Sequence, residues 1–508
     1  MLDRPLLLSK KSWGLIILFV LGAALAAAAE LPYGGWFQIP LLSIIWWQLG
    51  KIESSSIKKI AAACMAFGVG YFTLGLWWIY ISLHDIGRMN AVISCIAVLL
   101  LASYTAIFFA AACLPIFYFR RSSFQGLILA ACWVLAEYLR STLFTGFPWL
   151  GLAEAQVNGP FAPIAPYLGG LGCTFFAVWS SWQLLQLRGH LLRGITFAIC
   201  IGTLLQLSHV WSFTQPVGEP LSVELIQGNF AQNLVFSREG MFKQILFYEN
   251  TMRHSQAELV VSPETALPWP ESNMPFDVIE HLQNAARDNH TALLFGVIGV
   301  QPNPVDGREY SNRALGLTDN SAPYQYDKSH LVPFGEFIPP GFHWFVELFH
   351  VPLSDFARGP LQQPLFTIPR QGQNPLNAAI TICYEDVFGT ELATRLRHSD
   401  QQANLLINMT NLAWFGASQA PTQQLRLSQL RSLETGLPSL RATNTGVTAI
   451  VSPNGIVEAQ LNQFTQGTLS ATVQAYTGKT PYVRWGNAPI LSLSCLILLL
   501  GLMQRRRF

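Results

Sequence analysis

A polytopic helical membrane bundle joined to an α/β domain outside the membrane is the fold class this sequence predicts, on three observations. Of 508 residues, 51% are hydrophobic and 12% charged, and the mean hydropathy is +0.32; a chain this apolar meets lipid. Its long uncharged runs are confined to residues 1–211 and 487–503. Between them lies a block where short β-branched runs alternate with amphipathic stretches, the pattern of a layered α/β domain.

The expected spans are 12–29, 36–50, 60–82, 91–118, 124–141, 162–187, 194–211 and 487–503. Several reach the roughly 18 apolar residues that cross a bilayer. The second holds Gly35 and Pro40 and is expected to be short or re-entrant. The first follows Lys10 and Lys11 and has the form of a secretory signal, but further spans follow at once, so an uncleaved anchor is expected. Basic residues near span ends mark the cytoplasmic side. Every second loop is basic: Arg4, Lys10 and Lys11; Lys51, Lys58 and Lys59; Arg120 and Arg121; Arg188 and Arg193; Arg505, Arg506 and Arg507. The intervening loops of the N-terminal part hold only Arg88 and Arg140. The expected division is therefore a seven-span bundle over 1–211, a domain outside the cytoplasm over 212–484, and a last span with a basic tail over 485–508. The membrane parts carry a net charge of +9 and the block −7, which argues against nucleic acid as partner.

Within the block, strands are expected at 222–229, 258–264, 292–300, 378–385, 403–410 and 446–453, and helices at 239–255 and 422–435. In the bundle, Glu137 and Arg140 share a helix face and are expected to form an interfacial ion pair. Gly169, Gly170 and Gly172 are expected to allow close helix packing.

Seven of the eight cysteines lie in the apolar runs; Cys383 alone lies in the block. No disulfide can form inside that block, and a thiol kept free there is best explained as a nucleophile. Functional groups in α/β sheets gather at strand ends, and Glu264 and Cys383 fall at or near such ends, with Lys328 in the loop sequence YDKSHLVPFGEF. Alone, each has an ordinary reading: a small buried apolar residue, a surface acid, a loop cation. Together they form an acyl-transfer set, in which a carboxylate takes the thiol proton, the thiolate attacks a carbonyl and an ammonium stabilises the oxyanion. The motifs of metal, phosphate-loop and dinucleotide sites are absent from the sequence, and no metal or cofactor is expected. His330 is expected to be structural.

The motifs SPETALP, YDKSHLVPFGEF and TICYED, in this order and spaced by 64 and 55 residues between Glu264, Lys328 and Cys383, resemble the Glu, Lys and Cys motifs of the nitrilase (carbon–nitrogen hydrolase) superfamily. Carried on seven spans before it and one after, such a domain resembles the apolipoprotein N-acyltransferase family. FTGFPWLG (144–151), TNLAWFG (410–416) and LRATNTGVTAIVSPNG (440–455) extend the resemblance over the whole chain. It implies an αββα sandwich, with Glu264 as general base, Lys328 as oxyanion stabiliser and Cys383 as nucleophile. It further implies Glu336 as a second required acid, and Tyr384 and Glu385 as residues shaping the nucleophile's surroundings. Two positions depart from the family pattern: Leu412 stands where an acid is usual, and Phe236 where a tryptophan is usual.

The activity so implied moves an acyl chain from a phospholipid, through a cysteine thioester, to the N-terminal amine of a diacylated apolipoprotein, with ping-pong kinetics. The setting it implies is the bacterial inner membrane, with the catalytic domain in the periplasm and the protein a monomer. Transfer in place of hydrolysis requires that water be kept from the thioester. Phe334, Phe337, Phe342, Trp344, Phe345 and Phe349 are too many aromatics for a solvated loop. They are expected to form a lipid-facing lid that binds substrate together with Trp414, with Gly335, Gly341 and Gly359 as hinges; a packed subdomain is the alternative. Two rival activities remain open, a membrane-anchored nitrilase-type amidase or hydrolase and a catalytically silent receptor on the same frame.

Overall fold

The computed structural model describes residues 10–52, 56–187, 202, 212–232, 234, 237–301, 309–319, 322–339, 341 and 355–505. Two compact units emerge. One comprises Met1–Tyr80, Asn90–Trp211 and Trp485–Phe508; the other comprises Ile81–Met89 and Ser212–Arg484.

The first unit is helical. Among the described residues, Ile57–Gly75, Ala91–Tyr118, Gln125–Thr145, Ala162–Gln186 and Ala488–Arg505 are long and apolar enough to cross a membrane, and Trp13–Ala29 is a shorter apolar helix. Helix Gly34–Gly50 runs on through Pro40 for 17 residues. The expected run at 194–211 lies outside the described residues. The run expected over 60–82 stops as a helix at Gly75, and Ile81–Ile86 forms a separate π-helical turn. Glycines on the first and third helices let their backbones meet: a β-carbon on Gly22 would lie 2.1 Å from Phe67 O, and one on Gly70 2.0 Å from Phe19 O. Gly169 acts differently from the expected packing role. It takes φ 67 and kinks helix Ala165–Gln186. Glu137 and Arg140 are both buried. Glu137 accepts from Trp133 Nε1, Leu152 N and Thr174 Oγ1 at 3.0–3.1 Å. Arg140 donates to the carbonyls of Phe147, Pro148 and Trp149. Each thus binds the chain that follows its helix.

The second unit is a sandwich of two sheets, built among the described residues from thirteen strands: β1 Thr214–Gln227, β2 Leu259–Val261, β3 Leu267–Pro270, β4 Ala292–Val300, β5 Tyr310–Leu317, β6 Tyr324–Asp327, β7 Phe366–Ile368, β8 Leu376–Ile382, β9 Leu405–Thr410, β10 Ser439–Thr443, β11 Ala449–Val451, β12 Val457–Gln460 and β13 Gly467–Gly478. The first sheet runs β13-β1-β2-β4-β5-β6 with β3 beside β4, and the second β12-β11-β10-β9-β8-β7. Alternate residues of both sheets meet in one core, including Val223, Val261 and Leu294 from one side and Ile380, Ile407 and Leu440 from the other. Helices Arg238–His254 and Val278–Asp288 cover the outer face of the first sheet through Ile245, Met252 and Leu282. Helix Gly389–His398 covers the second through Leu392 and Leu396. Strands β1, β2 and β4 are mutually parallel, as are β8, β9 and β10, so the chain leaves each set at one end.

Candidate active site

Glu264 follows β2, Lys328 follows β6 and Cys383 follows β8, each within three residues of its strand's carboxyl end. Lys328 is buried, and its Nζ lies 3.2 Å from Glu264 Oε1 and 2.9 Å from Glu336 Oε1. The other oxygen of each acid is held by backbone: Asn411 N–H, just past β9, donates to Glu264 Oε2 at 2.8 Å, and Val332 N–H donates to Glu336 Oε2 at 2.9 Å. The bond from Asn411 ties the end of the second sheet to the base on the first. Burial opposes the Lys328 charge, but Glu264, Glu336 and Cys383 outweigh it and hold the ammonium well above the ordinary lysine range.

Cys383 is half-buried and opens a tight turn, Cys383–Val387, with φ 51. Thr265, next to the base, has φ 54. A left-handed conformation is costly for both residue types and persists only where surroundings enforce it. For Cys383 they do. Gln424 Nε2 donates to its carbonyl at 2.8 Å; buried Arg441 holds Gln424 Oε1 at 2.7 Å and Asn408 Oδ1 at 2.8 Å, and lies 3.4 Å from Asp386 Oδ2. Burial and the charge of Glu264 push the thiol up to about 12, against the opposing pull of Lys328 and a hydrogen bond with Thr410.

Glu385 joins the lysine loop to the cysteine turn. Its carboxylate accepts from Ser329 N at 2.7 Å, Ser329 Oγ at 2.6 Å, His330 N at 3.2 Å and Ile382 N at 2.7 Å, and from Tyr326 Oη. Removing that one side chain would take away the hydrogen bonds that tie the two catalytic loops together.

Residues 222–482 match the model of the carbon–nitrogen hydrolase family, and residues 22–183 that of the apolipoprotein N-acyltransferase N-terminal domain. The apolipoprotein N-acyltransferase of Ralstonia nicotianae is 41% identical over 482 residues, covering 93% of this chain and 90% of that protein. The one from Nitrosomonas europaea is 39% identical, with 96% of each chain covered. This chain belongs to the apolipoprotein N-acyltransferase family. Like its membrane helices, membership in the apolipoprotein N-acyltransferase family makes it a membrane-bound protein with a nitrilase-type domain. A solved structure, Nit3 of Saccharomyces cerevisiae, overlaps 52% of this chain and 93% of its own at 15% identity and a TM-score of 0.38, too low a likeness to carry argument.

Against the family motifs, the structure brings Glu264, Lys328 and Glu336 into direct contact and sets Glu385 against Ser329 and His330, next to the lysine. Tyr384 is buried, edge-on to Phe388 at 5.1 Å and to His330 at 5.7 Å. His330 stacks on Phe388, with Nδ1 2.9 Å from Glu391. Leu412 is 1% exposed, so the position that departs from the family pattern is a packing position in this chain. Of the expected lid aromatics, Phe334 is exposed at 37%, whereas Phe337 is buried beneath the Arg358 guanidinium, which corrects its expected lipid-facing role. Trp414 is half-buried in the turn Ala413–Phe415. Phe342, Trp344, Phe345, Phe349 and Phe236 lie outside the described residues. Gly359 is no free hinge: its N–H donates to Lys328 O at 2.9 Å, and a β-carbon there would lie 2.2 Å from Asp327 O. Sequence reasoning missed Asn312, Asn411, Gln424 and Arg441, because isolated amides and one arginine carry no spacing signature.

Proposed function

We propose that this chain transfers an acyl chain from a phospholipid to the N-terminal amine of a diacylated apolipoprotein, through a thioester on Cys383. The observation that carries the reading is a buried ammonium shared by two carboxylates, whose charges all act on one nucleophile-type thiol. Glu264 takes the Sγ proton as the sulfur attacks the ester carbonyl, and the oxyanion forms beside Lys328. Two of the three lysine N–H donors go to the carboxylates, which leaves the third for that oxygen. Collapse returns the Glu264 proton to the departing glycerol oxygen. In the second half the amine attacks the thioester, Glu264 accepts its proton, and the thiolate leaves and is reprotonated. Two half-reactions on one nucleophile predict ping-pong kinetics.

In this reading Glu336 holds Lys328, Glu385 and Tyr384 shape the turn, and Phe334 and Trp414 contact the acyl chains. The setting is the bacterial inner membrane with eight spans, the division at 1–211, 212–484 and 485–508, the catalytic domain in the periplasm, and a monomer. Purified protein incubated with acyl-labelled phospholipid and then digested should yield a Cys383 peptide heavier by one acyl group. A diacylglyceryl-cysteine peptide, and not water, should discharge it, and Cys383→Ala should stay unlabelled. An unmodified Cys383 together with cleavage of a small amide would replace this reading with the amidase one.

A further inference from the structure

Asn312 sits in β5, facing both carboxylates of the site, and nothing above assigns it a role. Its Nδ2 donates to Glu264 Oε1 at 2.7 Å and to Glu336 Oε1 at 2.8 Å. Those are the same two oxygens that Lys328 contacts. The Asn312 carbonyl also accepts the Lys328 backbone N–H at 2.9 Å, so one residue fixes the lysine's strand end and both acids. Its own Oδ1 is buried and has no hydrogen-bond partner among the described residues. A stranded acceptor is a cost. It is explained by the alternative: turning the amide over would set Oδ1 against two carboxylate oxygens.

We propose that Asn312 is a positioning residue that holds Glu264 and Glu336 together around one ammonium, in the orientation in which Glu264 takes the Cys383 proton. The chemistry favours an amide at this position. Two carboxylates sharing one cation repel each other, and a second lysine would relieve this only by adding a positive charge that weakens the base. A single amide nitrogen offers one hydrogen to each acid and adds no charge. The groups facing the two acids are Lys328 after β6, Cys383 after β8 and the backbone N–H groups of Asn411 and Val332.

The inference rests on Glu264 acting as the base, so the two need separate tests. The full chain in detergent with phospholipid is followed for acyl-Cys383 in single turnovers from pH 5 to 9. Glu264→Gln acylating as fast as the parent would remove the base and this inference with it. With that role intact, Asn312→Ala should acylate about tenfold or more slowly at pH 7. Iodoacetamide alkylation of Cys383, which does not need Glu264 as base, should change little. Asn312→Asp keeps the shape but turns an oxygen toward the acids, and should be slower still. A packing role predicts the reverse order, since Asp fills the space that Ala empties. That reverse order, or parental rates in either variant that melts as the parent does, overturns the proposal; should Ala not fold, Asp alone decides.

Discussion

Cys383 is protonated at rest. A thiol pushed up to about 12 is ionised in about one molecule in 10⁵ at pH 7, so attack has to be coupled to proton transfer to Glu264. Alkylation by iodoacetamide reports the resting thiolate directly. The expected result is a Cys383 alkylation rate that climbs with pH beyond 9 without levelling near neutrality. Lys328→Met should slow it further, because the lysine pulls the thiol downward. The same shift has a stability consequence. Below the ordinary thiol value of 9 folded and unfolded chains are both protonated, and the group adds no pH dependence. Above it the unfolded chain ionises first and the folded state loses stability. A plateau in alkylation between pH 6 and 8 would mean a resting thiolate and leave Glu264 without its proposed task.

At the scale of elements, β4 supports the base although it carries none of the reacting groups. A β-carbon on Gly296 would lie 2.3 Å from Thr265 N, 2.7 Å from Pro263 O and 2.8 Å from Glu264 C, so the glutamate loop lies on bare backbone. Gly296→Ala has to lift that loop. A displacement of about 1 Å in a reacting group costs on the order of a hundredfold. Acyl-enzyme formation should fall by that much in single turnovers while thiol alkylation changes little, and equal losses in both assays would point to general unfolding instead. Part of this frame was legible in the sequence, best where a strand is apolar throughout: β4 is found at 292–300 as expected, and helix Arg238–His254 within one residue of expectation. Two of the strands that escaped, β5 and β10, carry charged residues with buried partners. Arg313 in β5 pairs with Asp327, and Arg441 in β10 with Asp386. Such charges break the β-branched pattern while being satisfied by residues far along the chain. The reacting residues were legible through their motifs; the amides that hold them were not, because hydrogen-bonding to a carboxylate leaves no periodic trace.

For the whole molecule, charge is the organising quantity: net +9 in the membrane parts against −7 in the block that carries the site. Basic loops resist translocation, whereas a large folded block crosses largely regardless of charge. In the proposed topology, the alternation of basic and non-basic loops sets one orientation, with the site facing away from the cytoplasm. That orientation also suits the proposed chemistry, which needs a bilayer leaflet for its donor. Gln401 and Ser123 are both exposed, Gln401 in the block and Ser123 in the basic loop after Arg120 and Arg121. A membrane-impermeant maleimide applied to intact spheroplasts should add one label to a Gln401→Cys variant relative to the parent. A Ser123→Cys variant should gain its label only after the membrane is permeabilised. The opposite pattern would place the site in the cytoplasm, where the diacylated N-termini of exported proteins could not reach it, and the proposed acceptor would have to be abandoned even if Cys383 were found acylated.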